Sequence, residues 1–301
     1  MTEALELEVR PPWPYRLPTW GGEDRVMQVS GGVVSRLLHV DGSPILVRAW
    51  QPSPDRVVAH AKAIEPTAVA APGCGPERAQ RCAGPTELAV AVERMRFALG
   101  VDDDLRDFHR RFRRDALLGP LLRRHPYMRP LRRPWPWEAL AWAVVKQLIE
   151  SGRAARIQRR MVGRWGSRLG REQGVLRDVP TPGLIAGRAP AELESIGLAQ
   201  GRAIALRRIA HEISAGRCDP GDPGADARLL RVPEIGPWTV QCLGLYGRGE
   251  WDSLPAGDLM YLKLVGRVAR LGRRATVEEV EEFFAPYAPF RGLAAAWTST
   301  L

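Results

Sequence analysis

The stretch that decides the fold is Arg231–Val240, RVPEIGPWTV, followed along the chain by Leu254–Leu262, LPAGDLMYL. Helix-compatible sequences flank the first stretch, DARLL before it and TVQCLGLYG after it, so Val232–Gly236 predicts a tight turn between two helices. Pro237 suits the first position of the second helix, because its fixed φ fits there and it has no N–H to satisfy. Gly236 has no Cβ, so an anion can approach its backbone N–H closely.

The second helix would point free N–H groups and the positive end of its dipole outward, which is a phosphate-binding arrangement. The same residues are also typical of two helices that simply pack together, so the turn alone leaves both interpretations open. Asp258 follows Gly236 by 22 residues and precedes the apolar segment LMYLKLVGRVARL. This placement predicts a helix N-cap, where backbone N–H groups favour the ionised carboxylate.

The composition is that of a globular protein with a strong excess of arginine. The chain has 301 residues, of which 45% are apolar and 26% charged, and this length suffices for two or three domains. The net charge is +10, and Lys62, Lys146 and Lys263 are the only lysines among 44 basic residues. Such a charge indicates either a polyanionic partner or the codon bias of a GC-rich genome.

The cysteines and the N-terminal sequence favour a reducing, cytoplasmic location. The four cysteines lack CxxC spacing and are expected to be free thiols; they are Cys74, Cys82, Cys218 and Cys242. The first residues, MTEALELEVR, begin acidic and lack the apolar core of a signal peptide. No apolar run approaches the roughly 18 residues of a membrane-spanning helix. We therefore expect no membrane partner.

Hydrophobic patterns divide the chain into a strand-rich N-terminal part and a helical body, which predicts an α+β fold. Residues 24–50 have the pattern of short strands, with Asp41-Gly42 as a hairpin turn. From Pro85 the apolar residues recur at helical spacing, and Gly100 is placed to end this helix. We expect a mixed α/β domain over residues 1–86, a helical subdomain over 87–133 plus 252–301 that carries Asp258, and a second helical subdomain over 134–251 that contains the hairpin.

Taken together, the hairpin and the aspartate resemble the HhH–GPD superfamily of DNA glycosylases. LLRVPEIGPWTVQCLGL is similar to the helix-hairpin-helix of that superfamily, and LPAGDLMYL to its Gly/Pro-rich loop ending in the catalytic aspartate. The segments PWPWEALAWAVVKQLIE, GVDDDLRDFHRRFRRDALLGPLL and YAPFRGLAAAWTSTL resemble the AlkA-type 3-methyladenine glycosylases. The resemblance extends from about residue 87 to the end and is weaker over the strands. It implies a mostly α-helical HhH–GPD core with a small strand-containing N-terminal domain.

The resemblance implies that Asp258 is the catalytic residue. A fixed carboxylate can stabilise positive charge on the deoxyribose C1′ as the base leaves, and it can orient a water molecule. DNA contacts at the hairpin would come from Gly236, Pro237, Trp238 and Thr239. As in the family, a K⁺ or Na⁺ ion bridging to phosphate would be held by the backbone carbonyls of Leu230, Val232 and Ile235.

Two absences indicate the class of glycosylase. Relatives that also cut the DNA backbone carry a lysine two residues after the hairpin glycine, where this chain has Trp238. Relatives with a [4Fe–4S] cluster carry four closely spaced C-terminal cysteines, whereas no cysteine follows Cys242 here. We therefore expect no Fe–S cluster, no required cofactor, and a monofunctional enzyme that uses water and leaves an abasic site.

The resemblance also points to residues of the base pocket and of the duplex contact. An aromatic residue at the position of Trp238 lines the AlkA-type pocket, and aromatic rings suit cationic alkylated purines. Trp297, Tyr287 and Phe290 are further candidates for the pocket wall; for all four aromatic residues, core packing is the alternative. Gln147 and Leu148 match the segment in which an apolar wedge fills the space left by the flipped base. The sequence KQLIE departs from the family here, because Lys146 replaces the usual glycine and Glu150 the usual serine.

The sequence thus predicts a base excision repair enzyme that hydrolyses the N-glycosidic bond of alkylated purines such as 3-methyladenine. We expect it to bind damaged double-stranded DNA as a monomer, in the cytoplasm and on the nucleoid. Two alternatives stay open. One is a glycosylase for another lesion, such as oxidised guanine or mismatched thymine, and the other is a non-catalytic DNA-binding protein with the same hairpin.

Overall fold

The N-terminal part of the chain is an antiparallel sheet. The computed structural model describes residues 3–65, 69–70, 82–170 and 175–300. Five strands pair in the order β1-β5-β4-β3-β2: β1 (Ala4–Val9), β2 (Gln28–Ser30), β3 (Val33–Val40), β4 (Ser43–Ser53) and β5 (Arg56–Ala63). The predicted hairpin turn is confirmed, since Asp41 and Gly42 connect β3 to β4 with φ of 48° and 81°. Such left-handed conformations match the twist of a two-residue hairpin.

The sheet is wider than the strand-like segment that the sequence indicated. Both β1 and β5 lie outside residues 24–50, and they pair with each other along their whole lengths. In β1 the apolar residues Leu5, Leu7 and Val9 alternate with glutamates, which is the pattern of a strand with one face covered. A smaller sheet joins β6 (Val69–Ala70), β7 (Arg168–Leu169) and β8 (Leu176–Arg177).

The rest of the described chain is predominantly helical, which confirms the predicted α+β class. The helices are α1 (Pro85–Leu99), α2 (Arg106–Phe112), α3 (Leu118–Arg124), α4 (Pro136–Lys146), α5 (Ser151–Trp165), α6 (Pro182–Ala186), α7 (Pro190–Ser195), α8 (Gln200–Ser214), α9 (Asp226–Leu229), α10 (Pro237–Leu243), α11 (Leu259–Val268), α12 (Val277–Phe284) and α13 (Arg291–Thr298). A π-helical turn, Gly244–Arg248, continues α10. Within the described ranges, no helix combines the length and the apolar character needed to cross a membrane.

The buried side chains of the described residues form three main clusters. One joins the sheet to α1, which ends at Gly100 as predicted and packs Leu88, Val92 and Met95 on the strands. Residues on both sides of the predicted border at residue 86 thus contribute to this core, and the domain borders stay a prediction. The second cluster lies among α4, α5, α8 and α10, and the third among α2, α3 and α11–α13.

Buried charges connect the N-terminal sheet to α4. Arg36 on β3 forms an ion pair with Glu138 on α4, and both side chains are buried. Arg133 donates to Asp24 at 2.6 Å and to Glu138 at 3.2 Å, and the Trp142 indole donates to Asp24 at 2.9 Å. Removing one member of such a group leaves a buried charge without compensation, at a cost of about 3–5 kcal/mol. The network therefore orients α4, whose C-terminal end leads into the candidate site.

Candidate active site and DNA-binding surface

The predicted pair of helices with a tight turn is confirmed. The α9 helix ends at Leu229, and Gly236 is the N-cap of α10 with φ −110° and ψ 179°. Among the described residues, the backbone N–H groups of Gly236 and Trp238 have no backbone acceptor. A Cβ added at Gly236 would meet no protein atom within 4 Å. The start of α10 thus has N–H groups without a backbone acceptor and open space at the Cβ position of Gly236, which suit an anion site.

Asp258 caps α11, as its position in the sequence predicted. Its Oδ1 accepts the backbone N–H of Met260 at 2.9 Å, and its side chain is half-buried. The preceding residues Leu254, Pro255 and Ala256 are buried and hold the loop in place. Because the cap uses one lone-pair direction of one oxygen, the rest of the carboxylate stays available for a ligand or a water molecule.

The first turn of α10 meets the loop that carries Asp258. A Cβ added at Gly257 would lie 3.7 Å from Cβ and 3.8 Å from Cδ1 of Trp238. Trp238 is half-buried, and its indole N–H has no partner among the described residues. The structure thus brings the hairpin tryptophan against the residue directly before Asp258.

Gln147 forms an internal link between α4 and the hairpin. Its Nε2 donates to the Glu234 carbonyl at 2.7 Å and to Thr239 Oγ1 at 2.8 Å. Thr239 is buried, and its backbone N–H donates to the Gly236 carbonyl at 3.0 Å. The hydroxyl and the backbone N–H of Thr239 are thus both hydrogen bonded within the protein. Gln147 and Thr239 therefore hold the hairpin in position, and their DNA contacts stay a prediction.

Leu148 projects from the surface beside this link. Its φ is 53°, in the left-handed region that a leucine rarely adopts, and its relative exposure is 101%. Arg202 on α8 fixes the backbone before it by donating to the carbonyls of Gln147 at 2.8 Å and Val145 at 3.2 Å. A fully exposed leucine on a segment that Arg202 fixes by hydrogen bonds has the geometry of an apolar wedge.

The other aromatic candidates lie in the third hydrophobic cluster. Trp297 has no exposed surface, and its ring packs against Phe108 and His109. Tyr287 is buried and donates to Asp115 at 3.3 Å, while Phe290 is buried against Trp251. The structure does not bring these three rings to an open surface beside Asp258. These three residues pack α13 and the turn before it into the third cluster.

Buried polar groups surround Asp258 on its inner side. The hydroxyls of Tyr246 and Tyr261 lie close enough to influence each other. Burial raises the pKa of both tyrosines and of the Cys242 thiol, and the nearby Asp258 carboxylate adds to each shift. All three groups therefore stay protonated at neutral pH and present Asp258 with uncharged neighbours.

The carbonyls expected to hold a cation lie in the turn before Gly236. The Val232 carbonyl accepts the N–H of Ile235 at 3.0 Å, and a carbonyl oxygen has a second lone pair for a ligand. A cation site on the backbone carbonyls of Leu230, Val232 and Ile235 therefore stays a prediction. Arg202 was not recognised from the sequence, because it is 55 residues away from the carbonyl it binds and belongs to no local motif.

The sequence relatives of this chain are DNA repair enzymes by name. No family model matches the chain. It is 23% identical over 203 residues to a DNA-3-methyladenine glycosylase of Bacillus subtilis, covering 64% of this chain and 66% of the relative. It is 28% identical over 229 residues to a probable bifunctional transcriptional activator/DNA repair enzyme AlkA of Mycobacterium tuberculosis, covering 73% of this chain and 42% of the relative. The chain thus spans less than two thirds of the length of these relatives.

Solved structures match over almost the whole chain. A 3-methyladenine DNA glycosylase from Archaeoglobus fulgidus has a TM-score of 0.79 at 18% identity, over 97% of both chains. The chain has the HhH–GPD fold. An 8-oxoguanine glycosylase/lyase of Clostridium acetobutylicum has a TM-score of 0.67 at 16% identity, over 99% of this chain and 97% of that one. The HhH–GPD resemblance predicted from the sequence is confirmed, and the strand-rich N-terminal domain belongs to the match.

Proposed function

We propose that this protein is a monofunctional DNA glycosylase of base excision repair that removes alkylated purines. The observation that carries the proposal is the contact between Trp238 and the residue before Asp258, because the first turn of α10 then lies next to a helix-capping carboxylate. The sequence similarity to 3-methyladenine glycosylases supports the alkylated-base class.

DNA binding would begin at the hairpin. The free N–H groups of Gly236 and Trp238 at the start of α10 would bind a backbone phosphate, assisted by the helix dipole. A K⁺ or Na⁺ ion on the carbonyls of Leu230, Val232 and Ile235 would bridge to the same backbone. Exposed arginines lie next to this surface, and Arg153 and Arg231 have no ion-pair partner among the described residues.

Leu148 would enter the duplex and occupy the place of the flipped nucleotide. An inserted apolar side chain offsets part of the cost of unstacking, which is a few kcal/mol for each base step. Gln147 and Arg202 would serve this step indirectly, since they fix the segment that carries Leu148 relative to the hairpin.

Asp258 would carry the chemical step. As the C1′–N bond breaks, positive charge develops on the sugar, and a carboxylate held by its cap interaction with Met260 stabilises that charge without reorganising. The same carboxylate can accept a proton from the water that attacks C1′. The Trp238 ring, half-exposed beside Gly257, offers a stacking surface for the base.

One comparison bears on which lesion is removed. The match to an 8-oxoguanine glycosylase/lyase shows that the fold alone does not specify the base, so another lesion is the second candidate. We propose action on double-stranded damaged DNA as a monomer, in the cytoplasm and on the nucleoid.

The test is to incubate the full chain with methylated duplex DNA and to identify released bases by mass. The proposal expects free methylated purines and an equal amount of abasic sites in uncut strands. Tight DNA binding without any released base would contradict it and favour a non-catalytic DNA-binding protein. Release of oxidised or mismatched bases alone would favour the second candidate.

A further inference from the structure

The α5 helix is strongly basic on its exposed side. Its sequence, SGRAARIQRRMVGRW, contains five arginines and no acidic residue. The buried side packs Ala154, Met161 and Trp165 into the second hydrophobic cluster. The arginines project from the remaining surface, where four are exposed and one is half-buried: Arg153, Arg156, Arg160 and Arg164, and then Arg159. Neither the hairpin nor Asp258 accounts for this concentration of charge.

Three of these arginines form a row along the helix. Arg153, Arg156 and Arg160, here called the arginine row, recur after three and four residues, so they lie within about 60° of one another around the axis. The row extends over about 10 Å, because each residue of an α-helix adds about 1.5 Å. Like charges at this spacing repel one another and destabilise a helix. The charge of the row therefore works against the helix that carries it.

The arginine row has no counter-ion in the described part of the chain. None of its guanidinium groups pairs with a carboxylate there, and Arg153 and Arg156 form no side-chain hydrogen bond either. Arg160 reaches only a backbone carbonyl, at 3.4 Å. Arg164 differs, since it donates to a serine hydroxyl at 2.8 Å. The row is thus the part of α5 whose guanidinium groups are available to an outside partner.

Codon bias adds arginines to a chain but does not separate them from acidic residues. On α2, Arg110 and Arg111 both pair with Asp107. Glu212 on α8 likewise binds two arginines. The arginine row differs from these surfaces in having cations alone. A one-sided row of unpaired arginines along a helix is the electrostatic pattern of a nucleic-acid surface.

The arginine row begins close to the exposed leucine. Arg153 follows Leu148 by five residues, so their Cα atoms are at most about 18 Å apart. Gln147, directly before Leu148, donates to the Glu234 carbonyl of the hairpin turn at 2.7 Å. Leu148 thus lies between the hairpin and α5 along this chain of contacts. A duplex that Leu148 enters would bring the phosphates beside the flipped nucleotide within reach of the first turns of α5.

We propose that the arginine row binds the phosphates of the duplex arm next to the flipped nucleotide, as a second contact besides the hairpin. The inference rests on the proposed glycosylase function and deepens it. Phosphates of one strand follow each other about every 3.4 Å of duplex axis, so a row of about 10 Å spans about three of them. Each guanidinium offers two parallel N–H groups to phosphate oxygens. The duplex is then held at two places while Leu148 takes the place of the nucleotide in the stack.

The experiment measures the affinity of the full chain, at several salt concentrations, for a duplex with a central tetrahydrofuran abasic analogue. Arg153→Gln/Arg156→Gln should weaken binding and make the slope of log affinity against log salt about 1.8 less steep, at about 0.9 for each lost phosphate contact. Arg153→Lys/Arg156→Lys should keep most of the slope, because an ammonium group also neutralises a phosphate. Arg48→Gln/Lys62→Gln removes the same charge from exposed positions on the sheet and should leave the slope unchanged.

The length of the duplex supplies an independent readout. Removing the arm that α5 binds should weaken the wild-type chain more than Arg153→Gln/Arg156→Gln, whereas removing the other arm should affect both proteins alike. Equal salt slopes for this variant and wild type, at an unchanged melting temperature, would overturn the inference. A loss of slope as large in the sheet control, or equal losses for both proteins with either arm removed, would overturn it as well. A wild-type chain that binds no duplex at all would contradict the proposed function itself.

Discussion

Among single residues, Leu148 is the clearest case of a side chain whose exposure is not explained by packing within the protein. A wholly exposed leucine in a left-handed conformation contributes little to the core and costs backbone strain. We predict that Leu148→Ala lowers the excision rate on duplex DNA by about tenfold or more while the melting temperature stays unchanged. Leu7→Ala, at an exposed position on β1, is the matched control. Wild-type excision by Leu148→Ala would show that the wedge assignment is wrong.

Residues of the site differ in how far the sequence predicts them. Asp258 and Gly236 are predictable, because capping and a tight turn are local properties that a short motif encodes. Gln147 is found by its motif, but its bonds to Glu234 and Thr239 depend on the packing of α4 against α10. Trp297 is assigned to a pocket by resemblance, yet the structure buries it among aromatic rings. Tertiary packing decides such roles.

At the scale of elements, the proposed binding of DNA depends on the hairpin. We predict that log affinity for undamaged duplex falls linearly with log salt, with a slope of about −0.9 for each phosphate contacted. Gly236→Val should weaken binding to all sequences alike and reduce the slope by about one, because phosphate contacts carry no base information. The substitution should not disturb folding, since the space around Gly236 is open and its φ is ordinary.

Gly163→Val is the control for this prediction, because a Cβ there also meets no protein atom within 4 Å. It lies on α5, away from the hairpin turn. If binding did not respond to salt, the charge of +10 would have to be attributed to codon bias.

The α11 helix bears on whether the proposed glycosylase also cuts the DNA backbone. Lys263 lies five residues after Asp258 on this helix and is exposed, so its side chain starts roughly 140° around the axis from Asp258. We therefore predict base release without β-elimination. Borohydride present during turnover should trap no protein–DNA adduct, and product strands should stay intact until heated with alkali. A trapped adduct that disappears in Lys263→Ala would contradict this prediction.

At the scale of the whole molecule, His109 on α2 connects the two ends of the chain. Its ring stacks on Trp13 at a centroid distance of 4.4 Å and meets Trp297 on α13 at 5.9 Å. Burial and the Arg129 guanidinium lower its pKa from 6.5 to about 4, so the folded protein holds it neutral. Between these two pH values the unfolded chain binds the proton and the folded chain does not. Stability therefore falls as the pH drops through this window.

We predict that the free energy of unfolding, measured by denaturant titration from pH 7 to pH 4, declines less in His109→Phe than in the wild-type chain. His125→Gln is the control, because this histidine lies outside the stack. An identical pH dependence in His109→Phe and wild type would show that His109 does not titrate differently on folding.

The overall architecture was largely predictable from local signals, whereas the packing between its parts was not. Turn residues such as Asp41-Gly42 and helix ends such as Gly100 are encoded locally. The packing of α1 on the sheet depends on which apolar faces meet in the folded chain. No local sequence motif encodes that contact. The buried pairs of Arg36 and Arg133 with acidic partners likewise join residues far apart in sequence.

We propose that the carboxylate of Asp258 performs the excision. The most direct test is single-turnover release of free base from alkylated duplex DNA by Asp258→Asn. The asparagine keeps an oxygen for the Met260 N–H, so fold and DNA binding should persist. Asp222→Asn, at another capping aspartate, is the control. We expect a loss of about 10²-fold or more for Asp258→Asn alone, and excision at close to the wild-type rate would show that this carboxylate is not required.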